Sequence, residues 1–269
     1  MIGRVKKAFL GHYQVAWKWP TGALPSEWEP FAVRGPRGAT LSALFGHSHT
    51  DPRGVLVFIH PLTKSAKGFW LTHGHAAFYR RAGFHVVLFD LNGFGESSSR
   101  SFDFSGDMIA VAQHTRGNYP GLEIGIVGAS FGAGWAVYAM ARRNHPFRAA
   151  ILEGAFAHIP ERLQNRVSYR TLRGITRSIW PLVERNHFPV GYAKRVKHHP
   201  KVLLLHAEED NLIPVEHSQR LANAMAKSAD VAIHPIKNSS HNMIFVDQPE
   251  EYAGKVLPFL HSAFDANQD

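Results

Sequence analysis

The run Leu122-Glu123-Ile124-Gly125-Ile126-Val127-Gly128-Ala129-Ser130-Phe131-Gly132-Ala133-Gly134 changes character at its midpoint. Leu122 to Val127 is apolar and of strand length, as expected for a strand buried on both faces. From Ser130 to about Asn144 the chain is rich in Ala and Gly and reads as a buried helix. Between them, Gly128-x-Ser130-x-Gly132 sits at the strand-to-helix turn. Such a sharp turn exposes a serine hydroxyl, and glycines on either side allow the backbone segments to approach closely. The helix N-terminus directs free N–H groups toward negative charge that develops beside it. The pattern alone arises by chance in roughly one chain in ten of this length, so its weight rests on the strand before it and the helix after it.

Outward from this turn, the same alternation recurs. Residues 54–60, 84–90, 147–153, 201–206 and 231–236 are apolar runs of strand length. Helices are expected over 73–82, 103–117, 215–227 and 248–264, and two short strands within 29–46 flank a hairpin turn at Gly35-Pro36-Arg37-Gly38. Strands alternating with helices predict an α/β fold, a mostly parallel sheet flanked by helices. The whole chain, 1–269, reads as one domain. Residues 157–199 carry no apolar run of strand type and are expected to form a short helical cap insertion over the C-terminal ends of the strands.

Composition narrows the classes. With 45% apolar and 19% charged residues, the 269-residue chain is of ordinary globular type. It has no apolar run long enough for a membrane span, and Met1 to Pro20 lacks the apolar region and cleavage site of a signal peptide. A cytoplasmic location is the expectation. With no Cys, disulfides, thiolate catalysis and Cys-based zinc sites are excluded. The net charge of +9 is uneven: residues 157–199 hold nine Lys or Arg against two acids, and the remainder holds 21 against 19. A charge confined to one segment points to a feature of that segment, and no nucleic-acid partner is expected.

A serine nucleophile needs a base and an acid, which in this arrangement follow in the order Ser, acid, His. After the 201–206 strand comes Ala207-Glu208-Glu209-Asp210-Asn211-Leu212-Ile213-Pro214. Asp210 is the expected acid at the strand edge, with Glu208 and Glu209 as surface acids. Asn238-Ser239-Ser240-His241-Asn242 follows the last strand. His241 is the expected base, because it lies in a loop, whereas His217, His234 and His261 fall within a helix, a strand and a helix end.

With these motifs, and with Asp90-Leu91-Asn92-Gly93-Phe94-Gly95-Glu96-Ser97, the chain resembles the α/β-hydrolase superfamily over nearly its whole length. It is most similar to the compact serine-hydrolase branch of carboxylesterases, acyl thioesterases and serine-aminopeptidase-like enzymes. The resemblance implies an oxyanion hole made by two backbone amides, one from Phe131 and one from the loop after the 54–60 strand. That loop reads His60-Pro61-Leu62 where the family commonly has His-Gly. Pro61 has no N–H, so Leu62 is the implied donor. The implied activity is hydrolysis of a carboxylic ester or thioester through an acyl-enzyme, which requires no metal or organic cofactor.

Arg162, Arg166, Arg170, Arg173 and Arg177 recur every three or four residues and share one face of a helix. The ordinary reading is a solvated amphipathic helix. The sharper one is a stripe that binds an anionic substrate group, an acidic carrier or a membrane surface. Trp70, Phe69, Phe94, Phe156 and Trp180 are candidates for an acyl pocket, although aromatic residues more often belong to a core. His47/His49, His73/His75 and His198/His199 lack the helical spacing of metal ligands. Two other functions are to be weighed. One is a non-catalytic binding protein on the same fold. The other is a short-chain-dehydrogenase-like oxidoreductase using NAD(P), suggested by Gly128-x-x-x-Gly132-x-Gly134 and Glu153, but with no first-strand placement and no Tyr-x-x-x-Lys pair.

Overall fold

The apolar runs form strands whose alternate side chains enter two different cores. In Gly54–Ile59, Val55, Val57 and Ile59 face one core and Leu56 and Phe58 the other. In Lys201–Ala207, Val202 and Leu204 point one way, Leu203 and Leu205 the other. This is the period-two burial of a sheet covered on both faces. The computed structural model describes residues 10–158 and 188–265.

Among the described residues the strands are β1 Glu29–Arg34, β2 Thr40–Gly46, β3 Gly54–Ile59, β4 Phe84–Phe89, β5 Ile124–Ala129, β6 Phe147–Glu153, β7 Lys201–Ala207 and β8 Asp230–Ile236. They form one sheet in the order β1-β2-β4-β3-β5-β6-β7-β8. The β1–β2 and β2–β4 pairs are antiparallel, and all the others are parallel. The expected α/β architecture is therefore present, with the expected hairpin at its edge.

The helices are α1 Gly68–Thr72, α2 His75–Arg81, α3 Phe104–Asn118, α4 Phe131–Met140, α5 Pro189–Ala193, α6 Glu216–Met225, α7 Ile244–Asp247 and α8 Pro249–Phe264. Met108, Val111, Ala133, Val137, Leu221 and Met225 place α3, α4 and α6 on one face of the sheet. Trp70, Tyr79, Tyr252, Val256 and Leu260 place α1, α2 and α8 on the other. The start of α3 is set by Asp103, whose Oδ1 accepts from the Gly106 amide at 2.9 Å, a side-chain N-cap.

Two details differ from the sequence reading. The central strand begins at Ile124 and runs to Ala129, two residues later than expected, so it delivers the chain straight into Ser130. In the 157–199 segment, Arg162, Arg166, Arg170, Arg173, Arg177 and Trp180 lie outside the described residues. Its described tail joins the helix layer: α5 packs on α4 and α6, Ala193 and Val196 are buried, and the Lys197 amide donates to Met140 O at 2.9 Å. Small and branched apolar residues at these positions fit it into the helix layer, and it descends to the N-terminal edge of the sheet.

Candidate active site

Ser130 follows the last residue of β5 with φ 49° and ψ −109°, a conformation rarely adopted by a residue with a side chain. Such strain costs on the order of 1–3 kcal/mol and persists only where the surroundings enforce it. Here the Ser130 amide donates to Glu153 O at 2.8 Å, and Ser130 O accepts from the Gly134 amide at 3.0 Å. Serine at a helix start ordinarily caps the helix with its own oxygen. Ser130 forms no such cap, and its hydroxyl is directed elsewhere.

The tight elbow depends on missing side chains. A Cβ on Gly128 would stand 2.9 Å from the Ala133 backbone, and one on Gly132 only 2.3 Å from Ile59 O. The second contact matters for chemistry: it lets the first turn of α4, which includes the Phe131 amide, press against the end of β3, from which the Leu62 loop departs.

That loop is held from both sides. His60 is fully buried, and its Nε2 accepts from the Leu91 amide at 3.1 Å. Its Nδ1 therefore carries the proton and donates to Pro61 O at 2.8 Å. Burial is the main cause that pulls the His60 pKa below its ordinary value, which keeps the ring neutral. Further along, the Asp90 carboxylate accepts from the Lys67 amide at 2.9 Å, the Lys67 ammonium at 2.7 Å and the Glu96 amide at 3.0 Å. Lys67 also reaches Glu96 at 2.8 Å. The segment after β4, singled out for its Asp and Gly residues, thus clamps the loop after β3. Among the described residues the Leu62 amide donates to no protein acceptor.

The Ser130 hydroxyl lies 2.8 Å from His241 Nε2, and His241 Nδ1 lies 2.6 Å from Asp210 Oδ2. Asp210 Oδ1 accepts from the Leu212 and Ile213 amides at 2.9 and 2.8 Å. Burial alone would raise the Asp210 carboxyl, but the His206 and His241 side chains and the Ile213 amide outweigh it. They hold it well below the usual carboxylate range. The two imidazoles act differently. His206 Nε2 donates to Ile213 O at 2.7 Å and stands 3.5 Å from Asp210 Oδ2, the longer of the two contacts. His241 makes the short contact. Asp210 is ionised at neutral pH and orders the His241 ring with Nδ1 protonated and Nε2 free to accept.

Three contributors have no marker in the residue pattern. Glu209, read as a surface acid, accepts from the Asn238 and Ser239 amides at 3.1 and 3.3 Å and ties the Asp210 loop to the His241 loop. His206 is buried, accepts from the Ser218 hydroxyl at 2.7 Å and braces the 210–213 turn. Glu153 links the Ser130 turn to the segment after His241, since its carbonyl accepts from the Ser130 amide and its carboxylate accepts from the Ile244 amide at 3.2 Å. Burial raises the Glu153 carboxyl to about 7.

The other candidates separate. Trp70 and Phe69 are buried in the core beneath α1 and α2. Phe94 is buried between Tyr13, His60, Phe104 and Phe131. Phe156 is half-buried and its ring lies over Gly134 at the start of α4. Among the described residues no three His, Asp or Glu side chains are grouped to hold a metal ion, and no helix is long and apolar enough to cross a membrane.

A strand–serine–helix elbow on the middle of a mostly parallel eight-stranded sheet, with its partners on loops at the same strand edge, defines an α/β-hydrolase. The family model described as serine aminopeptidase, S33, matches residues 50–188, and the chain belongs to that family of hydrolases. The match includes Ser130 and ends before Asp210 and His241. Among curated proteins the chain is 28% identical to the lysophosphatidylserine lipase ABHD12 of Danio rerio over 164 residues, 58% of this chain and 43% of that one. The protein of the same name from Bos taurus is 30% identical over 157 residues, 54% and 39% of the two chains. The chain thus spans well under half of these relatives. Among solved structures, the Pyrococcus furiosus esterase Pf2001 superposes with a TM-score of 0.74 at 17% identity, covering 93% of this chain and 98% of the other. A puromycin-hydrolyzing peptidase of Mycobacterium tuberculosis gives 0.68 at 18%, covering 88% and 39%. At such identities the superpositions establish the fold. The glycine-rich run read as a nucleotide-binding alternative lies on the fifth strand of this hydrolase sheet.

Proposed function

We propose that the protein hydrolyses carboxylic esters or thioesters through an acyl-enzyme formed on Ser130. The observation that carries this reading is the continuous path from Ser130 Oγ through His241 to Asp210, with hydrogen bonds of 2.8 and 2.6 Å. His241 Nε2 removes the hydroxyl proton as Oγ attacks the substrate carbonyl. The charged imidazole that results is stabilised by the Asp210 carboxylate. The carbonyl oxygen becomes an oxyanion, and the Phe131 and Leu62 amides are the donors proposed to receive it. As the tetrahedral intermediate collapses, His241 gives its proton to the departing alcohol or thiol. Water then repeats the sequence on the acyl-enzyme, and the free acid leaves.

Support for an ester-type substrate comes from the lipase and esterase names of the relatives and neighbours. An anionic group on the substrate, or a charged surface that presents it, is proposed from the arginine-rich 162–177 stretch. The test is hydrolysis of p-nitrophenyl esters from acetate to octanoate by the wild type and Ser130→Ala, together with fluorophosphonate labelling. Turnover lost with Ser130→Ala, and a label on Ser130, is the expected result. A wild type that neither turns over any ester nor takes the label overturns the proposal in favour of a binding protein. Labelling of Ser130 without ester turnover moves the substrate to a selective thioester or an amide.

A further inference from the structure

The edge of the sheet away from Ser130 holds a concave feature. β6 leads from Phe147 to Glu153, whose carbonyl binds the Ser130 amide. At about 3.3 Å per residue, the start of β6 is about 20 Å from the nucleophile. There a cavity of 510 Å³ opens between the ends of α3, α4, β6 and β7, a volume in the range of small-molecule sites.

Its lining is basic. Arg116 enters from the last turn of α3, Arg143 from the turn after α4, Arg148 from β6 and Lys201 from the first position of β7, with Glu123 as the acid among them. Lys201 is held by neutral groups, donating to Ser262 O and Oγ at 3.0 and 2.6 Å. Arg148 Nε donates to Ala263 O at 2.6 Å. Arg116 and Arg143 form no ion pair among the described residues.

The wall formed by His198 and His199 is built at a conformational cost. Both residues have left-handed backbones, φ 63° and 49°, without being glycine, and strain of this kind is retained where a site needs a set geometry. Two hydrogen bonds enforce it. His198 Nε2 donates to Arg143 O at 2.8 Å. His145, whose Nδ1 accepts from the Phe147 amide at 3.2 Å, donates through Nε2 to Lys197 O at 3.0 Å. The turn that forms the wall is thereby latched to the segment that carries Arg143.

We infer that this cavity binds a small phosphorylated molecule with at least two adjacent phosphate groups. Planar guanidinium groups pair with phosphate oxygens two at a time, and cations arriving from separate elements suit a ligand with charge on more than one side. Because the cavity is distant from the nucleophile, its ligand is distinct from the acyl group that Ser130 is proposed to take.

Isothermal titration with ADP, pyrophosphate and adenosine tests this, using the full chain and the Arg116→Gln/Arg143→Gln variant, with circular dichroism to verify folding. ADP and pyrophosphate are expected to bind the wild type and to lose at least tenfold in affinity in the variant, while adenosine gives no signal and ester turnover is unchanged. Binding of ADP without pyrophosphate would place affinity in the base and overturn the phosphate assignment. So would equal affinity in the variant, or no heat from either ligand at millimolar concentration. A site that takes only an RNA oligonucleotide would be a polyanion surface, which also overturns it.

Discussion

Replacing Gly132 by Ala should disable the site without touching any group proposed to react. The added Cβ would lie 2.3 Å from Ile59 O, 2.8 Å from Ile59 C and 2.9 Å from His60 O, whereas ordinary contact begins near 3.4 Å. All three obstacles belong to backbone, so the first turn of α4 and the end of β3 must part by about 1 Å. Two effects compete. Ala is favoured over Gly within a helix by up to about 1 kcal/mol, while overpacking of this severity costs about 1–3 kcal/mol, so the clash prevails. The displacement also moves the Phe131 amide relative to Leu62, and misplacement by about 1 Å can lower a rate on the order of 100-fold. Steady-state hydrolysis of a p-nitrophenyl ester should show that loss mainly in kcat, with Ser130 still present. Gly117→Ala is the control: it lies in α3 with nothing within 4 Å of its added Cβ, and should retain activity and gain slightly in stability. If Gly132→Ala keeps kcat within threefold and melts like the wild type, the elbow does not depend on the close approach of Gly132 to Ile59.

Glu153→Gln should change how stability depends on pH. The Glu153 carboxyl is raised by burial from 4.5 to about 7, so the folded state disfavours the charged form and stability falls as pH rises through 4.5 to 7. The loss is about 3 kcal/mol, complete above pH 7. Gln does not titrate, so in urea melts the variant should gain on the wild type by that order between pH 4 and pH 8; a constant difference at the two pH values refutes the assignment. Lys67→Met leaves Asp90 buried without its cation, which should cost about 3–5 kcal/mol in the same melts. Adding Asp90→Asn should recover part of it, and a loss below about 1 kcal/mol would show that the ion pair does not clamp the loop after β3.

How much was legible in advance follows from the range over which each residue acts. Strand and helix identity is local: the apolar runs at 54–60, 84–90 and 201–206 leave neither face suited to water, and the hairpin at 35–38 needs only its own turn residues. The elbow is legible for the same reason, because Gly128, Ser130 and Gly132 act within one turn. Asp210 and His241 stand out by their position after a strand, and the structure sets Asp210 against His241 and His241 against Ser130. Glu209, His206 and Glu153 carry no such signature. A glutamate beside an aspartate looks like surface charge, and Glu209 earns its two amide partners only because the loops after β7 and β8 lie side by side. The direction of the Ser130 hydroxyl is likewise non-local, since an isolated helix start would turn it inward as a cap, and here a residue 111 positions away competes for it. Sequence by itself determined the elements, the sheet they make and the turn that exposes a serine. Only the tertiary structure decided which polar groups meet at that turn, because hydrogen bonds between distant loops depend on how the strands are ordered and not on which residues are neighbours in the chain.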